Sequence, residues 1–174
     1  MEVGFSFDVT RCSGCMACVV ACMDQNDIPA DGRSFREVVK LEQGEHPSAQ
    51  IFHVSMACFH CVEAPCVQVC PKGAIYRDKQ TGVVAVDEDF CIGCRSCAMV
   101  CPFGAPRFHP GEKMSKCNLC IDRISHGMEP ACVHTCTTRA LRFGPLKEFS
   151  REKAKKAAEK MVGSFLADPG AKFP

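Results

Sequence analysis

Sixteen cysteines in 174 residues constrain this chain more than any other feature of its sequence. They fall into four groups of four, with none left over: Cys12, Cys15, Cys18 and Cys22; Cys58, Cys61, Cys66 and Cys70; Cys91, Cys94, Cys97 and Cys101; Cys117, Cys120, Cys132 and Cys136. Groups one and three read C-x2-C-x2-C-x3-C. Group two is C-x2-C-x4-C-x3-C, and group four stretches the middle step to C-x2-C-x11-C-x3-C. Pro71 and Pro102 follow the last cysteines of groups two and three. Cysteine at this density signals either a disulfide framework or metal.

The compartment decides between these. The first eight residues carry no basic n-region, no apolar core and no cleavage site, so no secretory signal is expected. No apolar run reaches the roughly 18 residues of a membrane span. A cytoplasmic setting is therefore expected, where thiols stay reduced and clustered cysteine means metal. Zinc also uses C-x2-C pairs, but its sites join two separated pairs. Three cysteines at x2 steps closed by x3-C suit the four corners of a cubane, and this is the bacterial ferredoxin spacing. Group four, taken alone, would also suit a zinc ribbon. A three-iron cluster is expected where a ligand is replaced, and no position here is replaced. Four [4Fe–4S] clusters are the expectation. Gly14, Ala17, Gly93 and Ser96 are small enough to let a loop wrap a cluster closely.

Charge follows from ligation. The formal net charge is +1 with neutral thiols. Sixteen thiolates around four cores of about +2 each would bring the loaded protein to about −7. A nucleic-acid partner is not expected, since that needs a basic face. Lys72, Arg95, Arg107, Lys116, Arg123 and Arg139 recur beside the cysteines. They read either as offsets to buried negative charge or as ordinary surface cations. His60 and His134 sit within cysteine groups whose ligand count is already complete, so they read as surface or supporting hydrogen-bond groups.

The remaining pattern is α+β. Residues 74–78 and 83–87 flank a Gly-containing turn and read as a hairpin. Short strands are expected at 5–9 and 140–143. The x3 step before each fourth cysteine is expected to be helical, stopped by proline in groups two and three. Residues 24–49 read as an inserted loop with a strand near 35–41. Residues 150–166 read as a helix with Ser150 as N-cap and a stripe of Ala154, Ala158, Met161, Val162 and Phe165. That stripe is expected to pack on this chain or on a partner subunit. The expected division is 1–147 for the cluster-binding domain, with a nested module at about 50–110, and 148–174 for the helix and tail.

The sequence resembles the four-cluster electron-transfer subunits of molybdenum and tungsten oxidoreductase complexes of the dimethyl sulfoxide reductase type. The resemblance rests on Cys58-Phe59-His60-Cys61-Val62-Glu63-Ala64-Pro65-Cys66 and Cys70-Pro71-Lys72-Gly73-Ala74. It continues through Val86-Asp87-Glu88-Asp89-Phe90-Cys91-Ile92-Gly93-Cys94-Arg95, Cys101-Pro102-Phe103-Gly104-Ala105-Pro106 and Lys116-Cys117-Asn118-Leu119-Cys120, and ends at Arg139-Ala140-Leu141-Arg142-Phe143-Gly144. It implies two interlocked bacterial-ferredoxin-like modules with an inserted loop and a C-terminal helix. It implies cross-ligation too: Cys12, Cys15 and Cys18 with Cys136; Cys117, Cys120 and Cys132 with Cys22; Cys58, Cys61 and Cys66 with Cys101; Cys91, Cys94 and Cys97 with Cys70. Thr137 stands where the family often has proline. The shortness of the chain favours a soluble complex, for example with a tungsten-containing aldehyde-oxidoreductase-like subunit.

The expected function is non-catalytic relay of single electrons through four clusters. The partners implied are a large molybdenum or tungsten catalytic subunit and a flavin- or quinone-linked redox subunit. No direct membrane span is expected. No Ser-His-Asp set, phosphate loop or spare thiol supports an enzyme acting alone. A free-standing polyferredoxin and a structural or regulatory metal protein are the rival readings.

Overall fold

A computed structural model describes residues 2–108 and 113–167, with the side chains of all of these except 160, 161 and 163–167. Its described strands form four two-stranded antiparallel pairs, joined by short helices. β1 (Val3–Phe7) pairs with β8 (Leu141–Pro145), so the strand before group one meets the strand after group four. Phe5 lies opposite Phe143, and their rings meet edge-on at 6.3 Å. β4 (Ile75–Arg77) and β5 (Val84–Val86) form the hairpin expected between groups two and three. Asp78 closes its turn by accepting from the backbone N–H of Gln80 at 3.1 Å and of Thr81 at 2.7 Å, an Asx-type turn.

The helices carry the cysteines. α1 (Ala17–Gln25), α2 (Pro65–Gln68), α3 (Ser96–Val100) and α5 (Ala131–His134) each hold the third cysteine of a group. Pro65 sits in the first turn of α2, where its missing N–H costs nothing. α3 stops with Cys101 as its C-cap, immediately before Pro102. α1 meets no proline and runs on past Cys22. α1 packs against α5, and α2 against α3.

Two small cores result. One gathers Cys18, Val38, Cys132, Val133 and Leu141, with Phe5, Phe7 and Phe143 against it. The other gathers Ala64, Ile75, Val84, Cys97 and Met114. Cysteines of groups one and four belong to the first, and cysteines of groups two and three to the second.

The structure adds to the expected elements and shifts one of them. The insertion carries the expected strand, β2 (Glu37–Gln43), which forms a hairpin with β3 (Gln50–Met56) just beyond it, Val38 opposite Ser55. β3 went unread because only its inner face is buried, at Ser55. The C-terminal helix α6 (Leu146–Ala167) begins four residues before Ser150, which is therefore interior and not the N-cap. The earlier start is set by packing: Phe149 is buried against Gly144, and Leu146 closes on Gly4. Arg142 forks onto Glu152 at 2.5 and 2.9 Å. Beyond this turn Ala154, Ala158 and Val162 are exposed, so that part of the stripe does not pack on the rest of the protein. The side chains of Met161 and Phe165 lie outside the described residues. β6 (Arg107–Phe108), β7 (Met114–Ser115) and α4 (Ile121–Ser125) were also unread. Among the described residues no helix is long and apolar enough to cross a membrane.

Candidate metal centre

The four cysteine loops share one backbone device. The second residue after the first cysteine is left-handed in every group: Gly14 at φ 72°, His60 at 47°, Gly93 at 67° and Leu119 at 63°. This reverses the backbone within three residues, so that the first two thiols can face one space. Glycine adopts it freely, whereas His60 and Leu119 bear a strain of about 1–2 kcal/mol each. Met16 and Arg95, which open α1 and α3, are left-handed as well. A second turn follows three of the fourth cysteines. Gly73, Gly104 and Arg139 lie at φ 63°, 57° and 55° and donate back to the carbonyls of Cys70, Cys101 and Cys136.

These loops bring the cysteines together in sets drawn from two groups each. Cys12, Cys15, Cys18 and Cys136 line one cavity. Cys58, Cys61, Cys66 and Cys101 line a second. Cys70, Cys91, Cys94 and Cys97 line a third. Cys120 and Cys132 are electrostatic neighbours of each other and of Cys22, across the α1–α5 contact. The sets also adjoin one another. Cys18 neighbours Cys132, Cys117 neighbours Cys58, and Cys97 neighbours Cys66. Only Cys15 and Cys94 are exposed. Among the described residues no three His, Cys, Asp or Glu side chains gather closely enough for a single metal ion. The thiols surround spaces instead.

Burial raises six of the thiols. It pushes Cys117 up to about 12 and Cys97 up to about 11, and raises Cys18, Cys66, Cys120 and Cys132. Such thiols ionise only where positive charge compensates them, as a metal core does. Cys94 is lowered by its hydrogen bond with Ser96. Burial raises Cys136, but N–H and hydroxyl donors led by Leu141 and Thr138 outweigh it, and the net shift is downward. Backbone N–H groups donate to sulfur at Cys91, from Met114 at 3.3 Å, and at Cys101, from Ala105 at 3.4 Å.

The donor set fits iron–sulfur clusters on a further observation. Of the four buried side-chain polar atoms without partners among the described residues, one is Arg77 Nε and three are Arg36 Nη2, His53 Nδ1 and His60 Nε2, a rare condition for polar atoms in a folded protein. Arg36, His53 and His60 adjoin cysteine loops. The His53 ring lies 2.6 Å from where a Cβ on Gly14 would stand. Val84 donates to His60 Nδ1 at 3.0 Å, which leaves Nε2 as a free donor. Burial, then Lys116, lowers His60 to about 3 and keeps it neutral. Sulfides and thiolates would accept from such groups.

The six cations singled out in the sequence divide. Lys116 is buried, Arg107 and Arg123 are partly buried, and Lys72, Arg95 and Arg139 are exposed. His134 is exposed. Arg36 was missed, although it is only 3 % exposed. Its signal was the alternation of Ser34, Arg36 and Val38, all three buried on one face.

Comparison with known proteins agrees with this chemistry. A family model described as a 4Fe–4S dicluster domain matches residues 49–146, and another of the same description matches residues 11–75. The B subunit of anaerobic dimethyl sulfoxide reductase from Escherichia coli (strain K12) is 39% identical over 166 residues, covering 90% of this sequence and 80% of that protein. Thiosulfate reductase electron transfer subunit PhsB of Salmonella typhi is 47% identical over 146 residues, covering 81% and 74%. Protein NrfC of Escherichia coli (strain K12) is 39% identical over 155 residues, covering 87% and 69%.

Proposed function

From the premise that this protein belongs to the 4Fe–4S dicluster family and is a non-catalytic electron-transfer subunit with four [4Fe–4S] clusters, we propose how the clusters are held and whom they serve. Each cluster takes three cysteines from one group and its fourth from another. Cys136 completes the set of Cys12, Cys15 and Cys18, and Cys22 that of Cys117, Cys120 and Cys132. Cys101 completes the set of Cys58, Cys61 and Cys66, and Cys70 that of Cys91, Cys94 and Cys97. The sharing of three cavities by thiols from two groups each is the observation that carries this reading. The two separate cores support a module of about 50–110 nested within an outer ferredoxin-like module.

When bound, the clusters supply one-electron redox chemistry. The protein's own residues hold them, dry them and set their charge. Left-handed turns aim the first two thiols, and short helices aim the third. N–H donors at Cys91, Cys101 and Cys136 stabilise thiolate charge. The neighbours Cys18 and Cys132, Cys117 and Cys58, and Cys66 and Cys97 support a single file of four sites. Its ends are the sets of Cys12 and Cys91, which reach the surface at Cys15 and Cys94.

The partners are a large molybdenum or tungsten catalytic subunit at one end and a flavin- or quinone-linked redox subunit at the other. The relatives named as the B subunit of a reductase and as an electron transfer subunit support a role within such a complex. Anaerobic co-purification with metal analysis of the large subunit, followed by rapid mixing, tests it. The reduced protein is expected to be oxidised by that subunit only when its substrate is present. A reduced protein that purifies alone and reacts only with small soluble carriers would make it a free-standing polyferredoxin.

A further inference from the structure

Arg36 lies one residue before β2 and is 3 % exposed. A buried cation ordinarily has a carboxylate beside it. None of the ion pairs among the described residues involves Arg36. Its Nη1 donates to Ser55 Oγ at 3.1 Å, and Cζ stands 4.7 Å above the Phe5 ring. Its backbone N–H donates to Ser34 Oγ at 3.2 Å. Nη2 is buried with no partner. Ser55 Oγ in turn lies 3.5 Å from Cys18 Sγ. The guanidinium's charge lowers Cys18, Cys132 and Cys117. It therefore stands where the Cys12 set meets the Cys117 set.

We propose that Arg36 is a positioning residue of the relay, which raises the reduction potentials of the two clusters meeting at Cys18 and Cys132 by setting an uncompensated positive charge and a free N–H between them. The proposal rests on the cysteine sets given above. Reduction adds an electron to a centre that is already negative, so a fixed cation and a sulfur-directed donor both favour the reduced form. Arginine suits this role because it stays protonated at any working pH and is less strongly hydrated than lysine. Lys116 holds the next junction, beside Cys66 and Cys117, but its Nζ is committed to the carbonyls of Val84 and Cys117. The free donor belongs to Arg36.

The test is an EPR-monitored redox titration of the anaerobically purified full-length protein and its variants, with iron and sulfide counted first. Wild-type protein with fewer than four clusters would refute the cysteine sets, and is read before any variant. Arg36→Gln with four clusters is expected to show one or two midpoint potentials moved to more negative values, and Arg36→Lys to return them most of the way. Four unchanged potentials in loaded Arg36→Gln would overturn the proposal. So would Arg36→Lys shifting as far as Arg36→Gln. If Arg36→Gln loses iron, Arg36→Lys decides: retained iron and potentials support a role of charge, and lost iron would make Arg36 a packing residue and overturn it.

Discussion

Leu141 donates its backbone N–H to Cys136 Sγ at 3.4 Å. Ala105 does the same for Cys101 at 3.4 Å. Both sulfurs belong to the fourth cysteine of a group, the one that reaches across to another group's cavity. The crossing thiol is thus fixed by the segment that leaves it, and in the case of Leu141 that segment is β8, paired to β1 at the entry of group one. Strand pairing and the placement of the Cys136 thiol depend on the same few residues.

Cross-ligation predicts non-additive losses of iron. Cys22→Ser should cost about one quarter of the iron, because one of four clusters loses a ligand. Adding Cys120→Ser should cost no more, since both residues serve one cluster. Adding Cys15→Ser should double the loss. The opposite pattern in the two double variants would show that Cys22 serves its own group.

The loop turns predict unequal costs for two glycines. Gly73 is left-handed, but a Cβ there would meet nothing within 4 Å. Gly73→Ala should destabilise by about 1–2 kcal/mol, from backbone strain alone. Gly14→Ala adds a clash with the His53 ring at 2.6 Å and should cost more. Denaturation midpoints of the loaded proteins check the order, and equal midpoints would contradict it.

Lys116 is buried at 5 % exposure and donates to two backbone carbonyls, Val84 and Cys117. Lys116→Met fills the volume but leaves both carbonyls without a donor, at a cost of about 1–3 kcal/mol. It also removes a cation beside Cys66. A lower denaturation midpoint is expected in the loaded protein, and a wild-type midpoint would show that the amine is dispensable.

The docking of α6 should be insensitive to mild acid. The Arg142 guanidinium holds Glu152 below the usual carboxylate value of 4.5. A group depressed on folding contributes stability that is full above its unfolded value and lost as pH falls through the folded one. Amide exchange in residues 146–152, corrected for its intrinsic pH dependence, should therefore be unchanged between pH 7 and about pH 5. Glu152→Gln should raise it across that range. Protection lost already near pH 6 would contradict the pairing.

Much of this centre was legible because ligand spacing is a local property. The x2 and x3 steps sorted the thiols into the groups from which three shared cavities are lined, and Pro71, Pro102 and the turn at residues 79–82 marked helix ends and a hairpin. What escaped depended on tertiary placement. His60 and Leu119 adopt left-handed backbone that their side chains disfavour, so composition pointed only to Gly14 and Gly93. Arg36 looked like one more surface cation until β2 turned it inward with Ser34 and Val38. Ser150 had the chemistry of an N-cap, but Leu146 and Phe149 had strands to pack on and began the helix earlier.

Iron and acid-labile sulfide counted on the anaerobically purified protein, with EPR of the reduced form, test the four-cluster centre most directly. About sixteen of each per molecule are expected, with signals of several interacting reduced clusters. About four zinc ions per molecule and no reducible iron would contradict it.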